Sequence, residues 1–294
     1  MVGEDEKGTD MAELLKGLPV AKAITEQLTT RVEALASSGV TPTLAIVRVG
    51  ERADDLSYER GALKRCEATG IAVRKFVLPA DCVQGDLLRV IAEVNGDETI
   101  HGCLMFRPLP SHLDEAAACA ALDPAKDVDC VTEQSLFGVF ANRTLGFPPC
   151  TAEACIALLD HYGYELGGAE VTVVGRSLVI GKPVSMMLQA RNATVTMCHT
   201  RTRDLAASCR RADILVVAAG HIGTVGAAAV REGQTVIDVG INWDESAGKL
   251  CGDVAFDEVE HKVAAITPVP GGVGSVTTAI LAKHVVEAAE RTLR

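Results

Sequence analysis

Apolar and polar positions alternate along the first part of the chain in a way that predicts strands and amphipathic helices in turn. Apolar residues recur at three- and four-residue spacing over residues 11–38, which predicts a helix. The apolar run Thr43–Val49 ends at Gly50 and is typical of a buried strand. The same pattern then predicts a helix over 54–69, a strand over 71–78, a helix over 85–95 and a strand over 101–106. This alternation predicts parallel strands joined by right-handed crossovers.

A second alternating section begins at Thr151, after loops that contain Pro124, Gly146, Pro148 and Pro149. Its pattern predicts helix 152–161, strand 171–174, helix 183–190, strand 194–198, helix 203–210, strand 214–218 and strand 235–239. A final helix is predicted over 275–292, after the turn-rich segment PVPGGVG. We interpret the chain as two α/β domains, one formed by residues 11–150 and 276–294 and the other by residues 151–275.

The composition narrows the class of protein. Hydrophobic residues make up 48% of the chain and aromatic residues only 3%, a balance that suits helices packed on a parallel sheet. The net charge of -11 argues against a nucleic-acid-binding surface, which must offset phosphate charge. The apolar stretches are too short to span a membrane. The opening MVGEDEKGTD is acidic and polar, so it is interpreted as a frayed tail rather than a secretion signal, and a cytoplasmic protein is expected.

The ten cysteines are scattered along the chain and include no CxxC pair. Without a secretion signal, this pattern indicates buried small hydrophobic residues or free thiols rather than disulfides. The spacing also lacks the arrangement that metal ligands require, and we therefore predict no metal site.

A candidate phosphate-binding loop directly follows the predicted strand 171–174. The loop reads GRSLVIGKP from Gly175 to Pro183 and leads into a helix. Glycines allow the backbone to approach a diphosphate, and Pro183 suits the first turn of a helix whose free N–H groups face an anion. The loop therefore predicts cofactor-binding residues at Gly175, Arg176, Ser177 and Val179. Its glycine spacing differs from GxGxxG, so an ordinary strand-to-helix turn is the alternative interpretation.

The next strand of the same section indicates which dinucleotide would bind. NAD enzymes usually place a carboxylate at the end of this strand, where it binds the ribose 2′-hydroxyl. Here the strand leads into Thr200 and Arg201, and no carboxylate occurs before Asp204. Arg176, Thr200 and Arg201 would instead favour a 2′-phosphate, which predicts NADP as the cofactor. Solvated arginines at a helix cap are the alternative.

Several segments together resemble the methylenetetrahydrofolate dehydrogenase/cyclohydrolase family. They include VVGRSLVIGKP, ATVTMCHTRT, VIDVGIN, GDVAFDEV, ITPVPGGVGSVTTAIL, LAIVRVG, PLPSH and AKDVD, and the resemblance spans residues 14–290. It implies two α/β domains flanking a cleft, in a homodimer. The second domain would be a Rossmann-type NADP-binding domain, and the C-terminal helix would return to the first domain.

The resemblance also implies which residues would handle a tetrahydrofolate substrate. Tyr58 and Asp129 would be the catalytic residues, and Asp129 would hydrogen-bond the amino edge of the pterin with its two oxygens. The substrate-binding set implied in this way is Tyr58, Phe106, Asp129, Pro270, Gly271, Gly272 and Val273.

The sequence departs from the family pattern at the positions that serve the cyclohydrolase step. The family places a lysine four residues after the tyrosine, where this chain has Ala62, and a glutamine that partners it, where this chain has Phe106. Lys64 lies about 120° around the helix from Tyr58 and is a poor replacement. Four further departures surround the same site: Asp55, Arg107, Cys130 and Ser275.

These departures affect the two family reactions differently. Oxidation of the methylene bridge removes a hydride and needs no general acid or base, whereas hydrolysis of the methenyl product needs proton transfer. We therefore predict a dehydrogenase whose cyclohydrolase activity is weak or absent. The alternatives are compensation by Lys64 or Arg107, an imine or iminium reductase acting on another nitrogen heterocycle, and a silent paralogue that only binds folate or NADP.

Overall fold

The computed structural model describes residues 11–293, so the acidic tail interpreted above lies outside the described residues. The elements up to residue 161 are β1 (Glu13–Leu14), α1 (Gly17–Ser37), β2 (Thr43–Val49), α2 (Ala53–Thr69), β3 (Ala72–Leu78), α3 (Gln84–Gly96), β4 (Gly102–Met105), α4 (Glu115–Ala121), α5 (Glu133–Ala141) and α6 (Cys150–His161). The later elements are β5 (Glu170–Val174), α7 (Gly181–Ala190), β6 (Thr194–Cys198), α8 (Leu205–Arg211), β7 (Ile214–Val217), β8 (Thr235–Asp238), β9 (Asn242–Asp244), β10 (Lys249–Cys251), α9 (Phe256–Val259), β11 (Ala265–Ile266) and α10 (Gly274–Arg291).

The described chain divides into two compact units. The first unit contains residues 18–157 and 275–293, and the second contains residues 11–17 and Leu158–Gly274. The first unit thus includes all of helix α10 after Gly274, as the resemblance implied for the C-terminal helix.

The first unit is built on a three-stranded parallel sheet in the order β3-β2-β4. All seven residues of the central strand β2 are buried, as its unbroken apolar run predicts. Helix α3 packs Leu87, Ile91 and Val94 into the core beside Val47 of β2. The predicted order of strand, helix, strand, helix, strand is confirmed.

Two helices in this unit, α4 and α5, were missed by the periodicity because they are short and lie between proline-rich loops. Each begins at a side-chain cap: Asp114 accepts a hydrogen bond from the N–H of Ala117, and Thr132 accepts one from the N–H of Ser135. Such a cap satisfies an N–H group that the first helical turn leaves unpaired. Capping, rather than hydrophobic spacing, was the available sequence signal.

The second unit carries a six-stranded sheet in the order β1-β11-β8-β7-β5-β6, and every pairing in it is parallel. The chain leaves β5 toward β6 on one side and then returns to β7 on the other side. Doubly wound sheets bind ligands outside the carboxyl ends of the strands at such a reversal. This arrangement confirms a Rossmann-type domain.

The predicted helix over 11–38 is wrong at its start. Glu13 and Leu14 form strand β1, which pairs with β11 at the edge of the second unit's sheet, and the helix begins only at Gly17. A two-residue strand carries no periodicity of its own and takes its conformation from the partner strand. Pro19, in the first helical turn, is a position where proline is tolerated.

All ten cysteines are free thiols and nine of them are buried, which confirms the interpretation of their spacing. Within residues 11–293, no helix combines the length and the apolar character needed to cross a lipid bilayer.

Candidate functional site

The loop after β5 is shaped by two glycines that leave no room for a side chain. Gly175 has a φ of 129°, and a Cβ atom there would lie 2.1 Å from the carbonyl oxygen of Ala218. A Cβ atom on Gly181 would lie 2.3 Å from the carbonyl oxygen of Gly175. The two glycines therefore let the loop fold closely over the ends of β5 and β7, and an ordinary turn would not need this close approach.

Ser177 holds this loop against the start of helix α7. Its Oγ atom accepts hydrogen bonds from the N–H groups of Ile180, at 3.1 Å, and Gly181, at 3.5 Å. Arg176, Ser177 and Val179 are exposed and remain accessible to a ligand.

Thr200 and Arg201 are exposed just beyond the end of β6. Because Val174 of β5 is in register with Cys198 of β6, the two loops leave the sheet at neighbouring positions. The structure thus brings the six predicted cofactor residues to the carboxyl edge of two adjacent strands, where they remain candidates for cofactor binding.

Exposed apolar side chains on the same edge were missed by the sequence analysis. Ile222 follows β7 and is 52% exposed, and Ile241 follows β8 and is 64% exposed. Large apolar side chains directly after buried strands are suited to contact the flat rings of a dinucleotide. Their position after the strand ends, in the segments VVAAGHI and VIDVGI, was the signal that could have identified them.

Two buried carboxylates organise the loops of this edge. Asp253 accepts hydrogen bonds from the N–H groups of Ala219 at 2.6 Å and Gly220 at 2.8 Å, and from Nδ2 of Asn242 at 2.9 Å. Asp238 accepts from the N–H groups of Asp253 and two further residues. Burial raises the pKa of Asp238 to about 6, although these three N–H groups favour its charged form.

The predicted substrate residues Tyr58, Phe106 and Asp129 all lie in the first unit. The rings of Tyr58 and Phe106 meet edge to face with their centroids 6.0 Å apart. Asp129 accepts a hydrogen bond through Oδ1 from the N–H of Cys150 at 3.3 Å. Burial raises the pKa of Tyr58, and the nearby Cys150 and Asp129 raise it further, while a hydrogen bond with Thr277 lowers it.

Tyr58 and Asp129 are therefore brought together, and Cys150 and Thr277 complete the group. Neither partner was predicted from the sequence. Cys150 directly follows Pro148 and Pro149 and is the first residue of α6, and Thr277 lies in the first turn of α10 after the PVPGGVG turn.

The other predicted substrate residues, Pro270 to Val273, belong to the second unit. Gly271 has a φ of 107°, and its carbonyl oxygen accepts a hydrogen bond from the N–H of Gly17 at 2.8 Å. A Cβ atom on Gly272 would lie 2.6 Å from the carbonyl oxygen of Pro268. The glycines are thus required by the turn itself, and substrate contact by this segment stays a prediction.

The two positions where the family carries its lysine and glutamine, 62 and 106, are occupied by side chains unable to transfer protons. Ala62 has no exposed surface, and Phe106 is 9% exposed. Lys64 is exposed, and the Arg107 guanidinium lies 3.4 Å from Glu115. Every other lysine in the described part of this unit is bound elsewhere: Lys22 to Glu26, Lys75 to Glu59, Lys126 to three backbone carbonyls and Lys283 to Glu153.

Two family profiles match the chain. One is described as tetrahydrofolate dehydrogenase/cyclohydrolase, catalytic domain, and covers residues 15–129. The other is described as tetrahydrofolate dehydrogenase/cyclohydrolase, NAD(P)-binding domain, and covers residues 149–293. Together they account for most of the chain.

Individual proteins show the same likeness. The bifunctional protein FolD of Clostridioides difficile (strain 630) is 50% identical over 276 residues, covering 94% of this chain and 96% of that protein. The crystal structure of the bifunctional enzyme FolD from Campylobacter jejuni superposes with a TM-score of 0.92 at 36% identity, over 96% of this chain and 99% of that chain. A Trypanosoma brucei structure, N5,N10-methylenetetrahydrofolate dehydrogenase-cyclohydrolase (FolD) complexed with NADP cofactor and inhibitor, has a TM-score of 0.90 at 37% identity, over 97% and 99% of the two chains.

Proposed function

The chain belongs to the tetrahydrofolate dehydrogenase/cyclohydrolase family, and from this membership we propose that it is a methylenetetrahydrofolate dehydrogenase with little or no cyclohydrolase activity. It is an oxidoreductase that uses NADP and acts on a tetrahydrofolate derivative. The family resemblance further supports a cytoplasmic homodimer.

The carboxyl edge of the second unit's sheet supports binding of NADP. The two glycines would let the backbone of the Gly175 loop approach a diphosphate at the positive end of the helix dipole of α7. Arg176, Thr200 and Arg201 are exposed at this edge and would contact a ribose 2′-phosphate, whose oxygens suit their charge and hydrogen-bond donors.

The first unit supports the dehydrogenation of a folate. Hydride loss from a methylene group between two nitrogens leaves a delocalised cation, so the step requires alignment and a tolerant electrostatic environment rather than a proton carrier. Asp129 would bind the amino edge of the pterin through its carboxylate. Tyr58 lies beside it and would line the substrate.

The main support for the proposal is that positions 62 and 106 are occupied by alanine and phenylalanine. Hydrolysis of the methenyl product requires that water lose a proton as it attacks and that a ring nitrogen gain one as the ring opens. Ala62 is fully buried and Phe106 packs on Tyr58, and neither side chain can transfer a proton. Oxidation of the substrate without ring opening is therefore expected.

A second candidate function rests on the altered surroundings of Tyr58. Phe106, Arg107 and Asp55 change both the shape and the charge of this side while the cofactor loop keeps its form. Such a site would suit an NADP-dependent reductase of an imine or iminium in a different nitrogen heterocycle. A protein that binds NADP and folate without turnover is the outcome that would exclude both enzymatic functions.

The experiment compares the two half-reactions in the unmodified protein. NADPH formation from methylenetetrahydrofolate and NADP is followed by absorbance, and the decay of methenyltetrahydrofolate is followed separately against a blank without enzyme. We expect NADPH formation and a methenyl decay indistinguishable from the blank. Rapid enzyme-dependent decay would contradict the proposal.

Variants test whether positions 62 and 106 are the cause. Ala62→Lys combined with Phe106→Gln should raise methenyl hydrolysis at least about tenfold, since a positioned general acid or base contributes two or more orders of magnitude in favourable cases. Lys64→Ala is the matched control and should change nothing, because this lysine is exposed. A double variant that binds methenyltetrahydrofolate normally and remains inert would refute the assignment, and loss of residual hydrolysis in Lys64→Ala would reveal a substitute.

A further inference from the structure

A cluster of the buried Cys150 and His284 and the largely buried Glu153 lies beside Asp129, and the hydride transfer proposed above does not use it. Cys150 and His284 are each 1% exposed, and His284 reaches the cluster from helix α10. The three residue types match those of a nucleophile with its base and orienting acid. Their geometry determines whether they act in that way.

The hydrogen bonds of His284 exclude the role of a base. Its Nδ1 lies 2.8 Å from the carbonyl oxygen of Val128, and its Nε2 lies 2.8 Å from Oε2 of Glu153. Both partners are acceptors, so both ring nitrogens must carry a proton, and the imidazolium has no lone pair to accept the thiol proton of Cys150. Burial lowers the pKa of His284, but Glu153, the Val128 carbonyl and Glu287 together raise it above its usual value, which agrees with this protonation state.

We propose that His284 is a positioning residue for Asp129: its imidazolium, anchored by Glu153, fixes the peptide group that directly precedes the substrate-binding carboxylate. The inference rests on the proposed function, in which Asp129 holds the pterin. It adds a residue that contacts neither substrate nor cofactor and acts through the backbone.

The connection to Asp129 runs along two routes. The Val128 carbonyl belongs to the peptide group that contains the nitrogen of Asp129. His284 therefore fixes the orientation of this peptide plane and, through it, the direction of the Asp129 side chain. Cys150 donates its thiol proton to the same carbonyl, with Sγ at 3.3 Å, and donates its N–H to Oδ1 of Asp129. His284 of α10 and Cys150 of α6 therefore bind the backbone carbonyl that precedes Asp129, and Cys150 also binds the Asp129 carboxylate.

The anchor of His284 is itself fixed. Oε1 of Glu153 pairs with Nζ of Lys283, so each carboxylate oxygen has a cationic partner. The ring of Phe147 packs on His284 with the centroids 4.9 Å apart. Because the imidazolium is held on its edges and on its face, little freedom remains for the Val128 carbonyl.

The positive charge of His284 also favours the ionised form of Asp129. Burial raises the pKa of Asp129, hydrogen bonds from Cys150 lower it, Asp127 raises it and the charge of His284 lowers it; the net shift is upward, so His284 limits a rise that would be larger without it. An ionised carboxylate accepts two hydrogen bonds from a pterin edge, whereas a protonated one accepts fewer.

The test uses the intact enzyme and replaces His284 by Leu and by Asn. His284→Leu should raise the KM for methylenetetrahydrofolate about tenfold while kcat and the KM for NADP stay within about twofold, because only the folate anchor is loosened. His284→Asn can donate to Val128 or to Glu153 but not to both, and should give an intermediate KM. Val285→Ala, a fully buried neighbour on the same helix, is the matched control for lost packing.

A second measurement does not depend on the substrate. Hydrogen exchange at the amide of Cys150, which donates to Asp129, should accelerate about tenfold in His284→Leu and not in Val285→Ala. An unchanged folate KM with unchanged exchange would overturn the inference, and so would an equal rise of KM in the control. If the unmodified protein does not oxidise methylenetetrahydrofolate, the proposed function fails, and the exchange result alone then decides whether His284 positions Asp129.

Discussion

Asp253 offers a direct test of how the second unit builds its cofactor edge. The residue is fully buried, and its carboxylate joins the loop after β7, through Ala219 and Gly220, to Asn242 at the start of β9. Asp253→Ala removes the acceptor for all three donors at once. Asp253→Asn keeps the shape and one oxygen, which can still face the two backbone N–H groups if the Asn242 amide turns over.

The expected magnitude follows from these three bonds. A hydrogen bond to a charged group contributes about 1.5–3 kcal/mol, and an unsatisfied buried donor costs about 1–3 kcal/mol. Gly220 is exposed, so its N–H can bind water after the substitution, which reduces the loss. We expect Asp253→Ala to lower the free energy of unfolding by about 4 kcal/mol, and Asp253→Asn by about 1–2 kcal/mol.

The loss of these hydrogen bonds should also weaken cofactor binding. Urea unfolding monitored by circular dichroism gives the stability, and the fluorescence of bound NADPH gives its dissociation constant. Asp253→Ala should weaken NADPH binding at least about tenfold, because the loop after β7 loses its fixed position. Asp244→Ala is the control, since Asp244 caps only the exposed turn at Ser246 and Ala247. If Asp253→Ala is as stable as the control and binds NADPH normally, the assignment of Asp253 as an organiser is wrong.

Two further predictions concern charge. Arg201→Glu should raise the KM for NADP at least about tenfold while changing that for NAD by less than about threefold, because the new carboxylate repels a 2′-phosphate; kcat/KM with each dinucleotide measures this. Burial raises the pKa of Glu153, but the effects of His284 and Lys283 are larger and bring the pKa from 4.5 to about 2. The contribution of ionised Glu153 to the free energy of unfolding is therefore present above pH 4.5 and is lost as the pH falls toward 2. The pKa of His284 is raised above 6.5, so the contribution of protonated His284 to the free energy of unfolding is present below pH 6.5. That contribution is lost as the pH rises through the pKa of His284 in the folded protein. Glu153→Gln should therefore lose on the order of 3 kcal/mol between pH 4.5 and 6.5, and less on either side, in urea titrations across pH; a loss that does not vary with pH would contradict this.

The elements that the sequence predicted are those with internal periodicity. Strands β2 and β6 have the predicted bounds, and the helices α2, α3, α6 and α10 begin and end within two residues of the prediction, because each buries an apolar face. Helix α1 begins six residues later than predicted. Strands β1 and β11, two residues each, could not be predicted in this way, since their conformation depends on strands distant in the chain. The helices α4 and α5 depend on caps rather than on a stripe of apolar residues.

The candidate site shows the same division. Gly175 was predicted because a close approach of the backbone requires a residue without a side chain, and this requirement is visible in a strand–glycine–helix pattern. His284 was not predicted, because its partners Val128 and Glu153 are more than one hundred residues away in the chain, at separations of 156 and 131. Only the fold shows that both of its ring nitrogens face acceptors.

The effects of Ala62→Lys and Phe106→Gln on stability also depend on the neighbouring side chains, and we expect these two effects to be coupled. Ala62 has no exposed surface, so Ala62→Lys alone would bury an ammonium group near the contacting rings of Tyr58 and Phe106. This burial would cost several kcal/mol unless the lysine loses its proton. Phe106→Gln removes a ring that lies against Tyr58, one helical turn from Ala62, and introduces an amide oxygen that can accept from the ammonium. The double variant should therefore be more stable than the sum of the single variants by at least about 1 kcal/mol, as expected for residues in contact. Urea unfolding of the two single variants and the double variant measures this difference, and strictly additive losses would show that the lysine at 62 does not meet the side chain at 106.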